Sequence, residues 1–300
     1  MTASEHQSVL LNEVVHYLDP KPGEFMIDGT VDGGGHAGAI TEKIMPGGKG
    51  VFLGVDWDKA MIAKRAAERR FGGREHYAHG NYADLPEILV REKLGKADGL
   101  LLDLGFSSEQ LSRAGRGFSF GEEAADEPLL MTYDDEQRPV AELLRGIRED
   151  ALADIIFQYG GERMSRRIAK AIVEQERRRA ILTSGELAAT VRSALPGQYE
   201  RGRIDPATRT FQALRIYAND ELGNLGRLLE RVSDVVRPGG RVAIITFHSL
   251  EDRIVKQSFQ TSAKEERIKI LTKKPIEASR EEARENPRSR SAKLRAAILL

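Results

Sequence analysis

The chain has 300 residues, enough for one large domain or two ordinary ones with an ample core. Its 46 Lys and Arg balance 46 Asp and Glu, so any grip on nucleic acid must come from local patches rather than overall charge. The lack of cysteine excludes disulfides, thiolate metal sites and a cysteine nucleophile. There is no basic, apolar leader and no run of eighteen apolar residues, so the reading is a cytoplasmic protein without a membrane partner.

Residues 8–18 (SVLLNEVVHYL) place apolar side chains at helical spacing, and DPKPGE ends that helix. Phe25, Met26 and Ile27 then form a short apolar run, read as a buried strand, which Asp28 and Gly29 terminate. A glycine-rich loop follows, and a helix begins near His36. Strand, glycine loop and helix make the entry to a nucleotide-type site, because glycine lets the backbone approach a ligand and a helix N-terminus offers unpaired N–H groups. Gly33, Gly35 and Gly38 satisfy G-x-G-x-x-G. The match is weak, since the dinucleotide pattern starts almost at the strand end and here Asp28 and four more residues intervene. Three further β-α units repeat the plan: Val51 to Val55 ends on Asp56, a weaker strand near Tyr77 to His79 leads to Asn81-Tyr82, and Gly99 to Leu102 ends on Asp103. Repeated strands and helices in this order predict a parallel sheet covered on both faces, with ligands at the strands' carboxyl ends.

The next clear strand, Arg241 to Phe247, lies far beyond Asp103, where a whole crossover unit takes only about 30 residues. Something is inserted. Residues 116–138 are acidic and irregular, the sign of a long loop over the site, and 139–195 carry helical periodicity in four pieces, the last opened by a Ser-x-Glu start. Residues 196–209 read as the exit loop. TFQALRIYANDELGNLGRLLERVSDVV then reads as one long helix with possible breaks at Gly223 or Gly226. Two β-like runs near the end, RIKILTKKPI and AKLRAAILL, complete a seven-stranded sheet with a reversed hairpin at one edge. The expected division is 1–108 with 206–300 as the sheet domain and 109–205 as an inserted loop and helical domain that recognises substrate.

Asp28, Asp56 and Asp103 at strand ends are the informative feature. Asp56 lies eighteen residues after Gly38, where a nucleoside-binding sheet places the acid that accepts ribose hydroxyl protons. Carboxylates repel a pyrophosphate and attract an ammonium or a sulfonium, so S-adenosylmethionine is favoured over NAD. An NAD-linked oxidoreductase and a non-catalytic RNA-binding protein remain as alternatives. The spacing of His, Asp and Glu suggests no metal site.

Several blocks carry a family resemblance: HQSVLLNEVV, DGTVDGGGHAG, LLLDLGFSSEQL, RGFSF, GGERMSRRIAKAIVE, PATRTFQALRI, FHSLEDRIVK and NPRSRSAKLRAA. Together they span essentially the whole chain. It resembles the bacterial 16S ribosomal RNA cytosine-N4 methyltransferases known as MraW or RsmH, differing where EPLLMTYDDEQ stands in place of a G-P-L-D-M-R-like block. The resemblance implies a class I S-adenosylmethionine-dependent methyltransferase, a Rossmann-like α/β sheet interrupted by a helical domain. It implies as substrate the N4 amino group of cytidine 1402, in the usual numbering of 16S rRNA, within the small ribosomal subunit. It also implies that Gly34, Gly35 and His36 form the cofactor loop, that Asp56 holds the ribose, that Tyr82 lies at the adenine, and that Asp103 and Gln110 complete the cofactor contacts.

Cytosine N4 is a poor nucleophile because its lone pair is delocalised into the ring, so an acceptor for an N4 proton assists attack. Asp103 is the first candidate, with a role in cofactor binding alone as its alternative. His248 is the second, with helix capping as its alternative; Ser249 and Asp252 read as caps of the helix that follows. For RNA, Arg163, Arg166, Arg167 and Lys170 gather broadly on one side of a predicted helix. Phe118 and Phe120 could stack on RNA, although packing of their loop is the simpler role.

Overall fold

The computed structural model describes residues 8–104, 115–197, 199 and 205–300. Four parallel strands open the chain: β1 (Phe25–Asp28), β2 (Val51–Asp56), β3 (Glu75–His79) and β4 (Ala97–Asp103). After the insert come β5 (Val236–Thr246), β6 (Ile268–Ile270), β7 (Ile276–Glu277) and β8 (Lys293–Leu299). The order is β3-β2-β1-β4-β5-β8-β6, with β5 parallel to β4 and β8 antiparallel to β5. β6 and the two-residue β7 pair with different stretches of β8, on the edge that β5 leaves open. The sheet therefore has seven strand positions, as the sequence led one to expect of a Rossmann-like α/β methyltransferase domain. β5 starts five residues earlier than the apolar run, taking in the RPGG turn.

Strand geometry explains the uninterrupted apolar runs. Successive side chains point to opposite faces, and here both faces are covered. Met26, Phe52, Leu101 and Ala243 pack with Val14, Leu18, Ile40 and Ile44 of the helices Leu11–Leu18 and Gly35–Ile44. Ile27, Leu53, Leu100 and Ile244 pack on the other face with Leu85, Ile88, Leu228 and Val255.

Two compact units result: residues 1–107 with 222–300, and 108–221. The second contains the helices Val140–Gly146, Glu149–Gly160, Ser165–Arg178, Ser184–Ala194 and Ala207–Ala218. A sequence-based exit at 205 assigns the last of these to the sheet. It packs instead on Glu149–Gly160, where a Cβ at Gly160 would run into the Arg209 carbonyl and where Gln212 donates to the Tyr159 carbonyl at 3.1 Å. The expected long helix breaks at Asn219-Asp220 and not at Gly223 or Gly226, both of which lie inside the helix Glu221–Glu230. Asp220 takes a left-handed backbone (φ 47°), and the buried Asn219 amide donates to the carbonyls of Met131 and Arg215. That side chain offers the backbone a better partner than another helical turn would. The capping box of Ser184–Ala194 uses Thr183 and Glu186, one residue earlier than the Ser-x-Glu reading.

The 116–138 segment is packed rather than loose. Leu129, Met131 and Thr132 are buried, Phe118 stacks on Tyr133 with centroids 5.5 Å apart, and Phe120 lies against Phe211 at 4.5 Å. Packing is thus the role that both phenylalanines have. Among the described residues no helix is long and apolar enough to cross a membrane.

One tie fixes the helix Ser249–Lys264 to the sheet. Buried Arg295 on β8 donates from Nε and Nη2 to the two carboxylate oxygens of Asp252, at 2.7 and 3.2 Å. Asp252 is therefore a long-range ion-pair partner and not the cap read from the sequence. Asp252→Asn leaves a buried guanidinium without its counter-charge and should lower stability by about 3–5 kcal/mol, seen as a lower denaturant midpoint at unchanged slope. A loss below about 1 kcal/mol, the value of an exposed pair, would contradict this.

Candidate active site

The sheet order makes β2, β1 and β4 neighbours, so Asp56, Asp28 and Asp103 end adjacent strands. Asp28 pairs in register with Gly54 and Leu101, two residues short of the other two acids. Asp28 consequently lies deepest, at 1% exposure.

The loop after β1 is tied to both neighbours. Gly29 donates its N–H to the Leu101 carbonyl and Val31 to that of Val55, each at 2.9 Å. Thr30 Oγ1 accepts the Asp103 backbone N–H at 2.6 Å, while the Thr30 N–H bonds Asp28 Oδ1 at 3.1 Å. Asp56 takes the Asp32 N–H on one oxygen at 3.0 Å and the Asp58 N–H on the other at 2.8 Å. Gly34 then caps the helix Gly35–Ile44 with a left-handed backbone (φ 78°), and a Cβ there would strike the Arg65 side chain. The conformational demand falls on Gly34, while Gly35 and Gly38 of the G-x-G-x-x-G match are simply helical. Sequence reading does not find Thr30, because a threonine two residues past a strand end carries no spacing signal.

His36 is buried in the first turn of that helix, its Nε2 3.6 Å from Asp103 Oδ2, an ion-pair rather than a hydrogen-bond distance. Neither ring nitrogen nor Asp103 Oδ1 has a hydrogen-bond partner among the described residues. Burial pulls the imidazole pKa down, but the nearby Asp103 carboxylate, with Asp28 and Asp32 behind it, outweighs burial and raises it. Desolvation lifts both Asp28 and Asp56 to about 7, against the partial relief of their hydrogen bonds and, for Asp28, of His36.

Tyr82 sits in a short turn after β3. Asn81 caps that turn, accepting the Ala83 N–H at 2.8 Å and donating to Asn224 Oδ1 at 2.6 Å. The Tyr82 ring faces Trp57, next to Asp56, at 6.5 Å between centroids. His248 follows β5, the strand beside β4, and serves as a helix cap. Its Nδ1 accepts the Glu251 N–H at 3.4 Å, and its Nε2 lies 3.1 Å from Glu251 Oε1. Gln110 lies outside the described residues. Arg163, Arg166, Arg167 and Lys170 belong to the helical unit, where all four are exposed and Lys170 lies 3.9 Å from Glu174.

The model of the MraW methylase family matches residues 3–299. The chain belongs to the MraW methylase family. It is 44% identical to the ribosomal RNA small subunit methyltransferase H of Syntrophus aciditrophicus, over 98% of this chain and 97% of that protein. The protein of the same name from Deinococcus deserti is 46% identical, over 97% of this chain and 92% of its own length. The solved structure of Aeropyrum pernix fibrillarin with natively bound S-adenosyl-L-methionine is 10% identical and covers 93% of this chain and 67% of its own, with a TM-score of 0.41. That likeness is too slight to bear on the site. This MraW-family chain is a methyltransferase, and S-adenosyl-L-methionine is its methyl donor. The NAD reading is thereby set aside.

The residues present fit that cationic donor. Asp28 and Asp56 are buried at elevated pKa, and Asp103 Oδ1 and both His36 nitrogens are buried without hydrogen-bond partners among the described residues. A positive ligand beside such groups favours the ionised acids. In the unfolded chain both aspartates ionise near their ordinary value of 3.8, whereas folded they keep their protons to about 7. The folded state binds more protons across that window, so rising pH from about 4 through about 7 erodes the stability of the ligand-free protein. Binding a cation reverses the preference and expels protons. Calorimetry in buffers of different ionisation enthalpy should show proton release and a Kd for S-adenosyl-L-methionine that falls between about pH 6 and 8, with Asp28→Asn flattening the trend. A Kd independent of pH would contradict the assignment.

Proposed function

We propose that this MraW-family methyltransferase methylates the exocyclic N4 of cytidine 1402 in 16S rRNA, in the small ribosomal subunit and hence in the cytoplasm. Its relatives' name, ribosomal RNA small subunit methyltransferase H, and the sequence blocks shared with cytosine-N4 methyltransferases support the substrate. The observation that carries the chemistry is Asp103, a strand-end carboxylate with one oxygen lacking a hydrogen bond among the described residues and its backbone held by Thr30.

In this reading Gly34, Gly35 and His36 line the donor's loop, and Tyr82 offers its ring to the adenine. Each Asp56 oxygen already takes one backbone N–H, and an ionised carboxylate keeps a second lone pair on each for a ribose hydroxyl. Gln110 is assigned to the donor with them. When bound, S-adenosyl-L-methionine supplies an electrophilic methyl group. Asp103 Oδ1 accepts a hydrogen bond from the cytosine amine, localising its lone pair, and then takes the proton as the amine is alkylated. The His36 imidazolium beside Oδ2 stabilises the ionised Asp103 before the transfer. His248, committed to capping, gives shape to the β5 end and takes second place to Asp103 as the base. Arg163, Arg166, Arg167 and Lys170 supply cations for the RNA backbone.

Asp103→Asn keeps an acceptor oxygen but cannot take the proton. Single-turnover methylation of a 16S rRNA substrate with both substrates saturating should slow by about 10²–10⁴-fold. A wild-type rate in that assay, with only the KM for S-adenosyl-L-methionine raised, would restrict Asp103 to holding the donor.

A further inference from the structure

The helical unit holds a second concave site. A cavity of about 370 Å³ is lined by Asp154 and Phe157 of the helix Glu149–Gly160 and, across the turn, by Arg163, Met164, Arg166 and Arg167. Its size is near the lower end of small-ligand sites, room for one nucleotide and not for a duplex. Phe157 lies outside the face of its helix that buries Leu152, Ala153, Ile155 and Ile156, and 56% of it is exposed. An aromatic ring so placed contributes little to the fold.

The arginines around the ring are not neutralised by neighbouring acids, as several others of this unit are. Arg148, Arg179, Arg192 and Arg215 are each matched by an acid of the same unit. Arg163, Arg166 and Arg167 have no ion-pair partner among the described residues, and Asp154, the only carboxylate of the cavity wall, is not paired with them. The turn that presents them is nevertheless fixed. Gly161 closes the first helix with a left-handed backbone, and the fully buried Glu162 accepts the Met164 N–H at 2.7 Å and pairs with Arg209 at 3.4 Å. A fixed turn and the first turn of the helix Ser165–Arg178 thus carry three unneutralised guanidinium groups beside an exposed aromatic face.

We propose that this cavity is a clamp for a single unpaired nucleotide of RNA. The base stacks on Phe157, and the flanking phosphates are held by Arg163, Arg166 and Arg167. An acidic peptide would satisfy the arginines but has no use for the ring, whereas every nucleobase presents a flat face to it. The proposal rests on the rRNA substrate reading and adds a second point of contact, remote in sequence from the donor residues and independent of base pairing.

The test uses the full chain, a fluorescent unstructured 12-nucleotide RNA, and the same strand with its bases removed. Phe157→Ala should weaken binding of the 12-mer by about 5- to 150-fold, the range of one lost base–aromatic stack, with an unchanged salt slope. Phe157→Leu should be impaired nearly as much, and on the abasic strand both variants should match wild type. Arg163→Gln with Arg166→Gln should instead lower the salt slope by roughly 0.7 per arginine on either strand. Unchanged melting temperature and S-adenosyl-L-methionine affinity confirm that Phe157→Ala is folded. Full 12-mer affinity in that variant, or full rescue by leucine, would overturn the clamp while leaving the methyltransferase reading intact. Preference for a decaglutamate peptide over RNA would make the cavity a peptide site. A wild-type chain that binds neither strand would remove the rRNA reading and the clamp together.

Discussion

Placing carboxylates at the buried ends of adjacent parallel strands is the constraint around which the sheet unit is built. An ionised aspartate taken out of water is costly unless hydrogen bonds or opposite charges replace the solvent. Backbone N–H groups of Thr30, Asp32 and Asp58 do part of this for Asp28 and Asp56, and the His36 side chain does part of it for Asp28 and Asp103. Compensation is incomplete, since both buried acids are held near neutrality in pKa. The remaining deficit is what a cationic donor can relieve, so the electrostatic cost of the fold and the selectivity of the site have one origin.

The same ties give the site its rigidity. Thr30 joins the β1 loop to the Asp103 backbone, and Asp56 joins it to the start of the next helix. Asp28, Asp56, Asp103 and His36 thus ride on three strand ends and one helix turn, which suits a reaction that depends on alignment. The basic, aromatic-lined cavity belongs to the other compact unit, where a buried glutamate organises a turn between two helices. The two sites thus carry local charge of opposite sign within a chain whose total is neutral.

Local patterns made much of this legible in the sequence. Apolar runs ending on Asp28, Asp56 and Asp103 announced three strands, because a doubly covered strand has no polar face to interrupt the run. The distance from Asp103 to Arg241 announced the insert. Contacts between residues far apart in sequence were not legible. Nothing local tells Asp252 from a helix cap until Arg295 arrives on β8, and nothing marks Thr30 as the acceptor for Asp103. The break at Asn219-Asp220 was hidden because glycines looked like the natural breakers. It is the tertiary bond from the Asn219 amide to Met131 that stops the helix. His248 drew attention as an isolated imidazole at a strand end, and its commitment to Glu251 is a short-range bond that only the backbone geometry reveals.

Mass mapping of 16S rRNA from cells with and without this protein tests the central claim most directly. The account predicts that one methyl group on N4 of cytidine 1402 is lost on deletion, restored by the wild-type chain and not restored by Asp103→Ala. An unchanged methyl at that position after deletion, or restoration by Asp103→Ala, would contradict it.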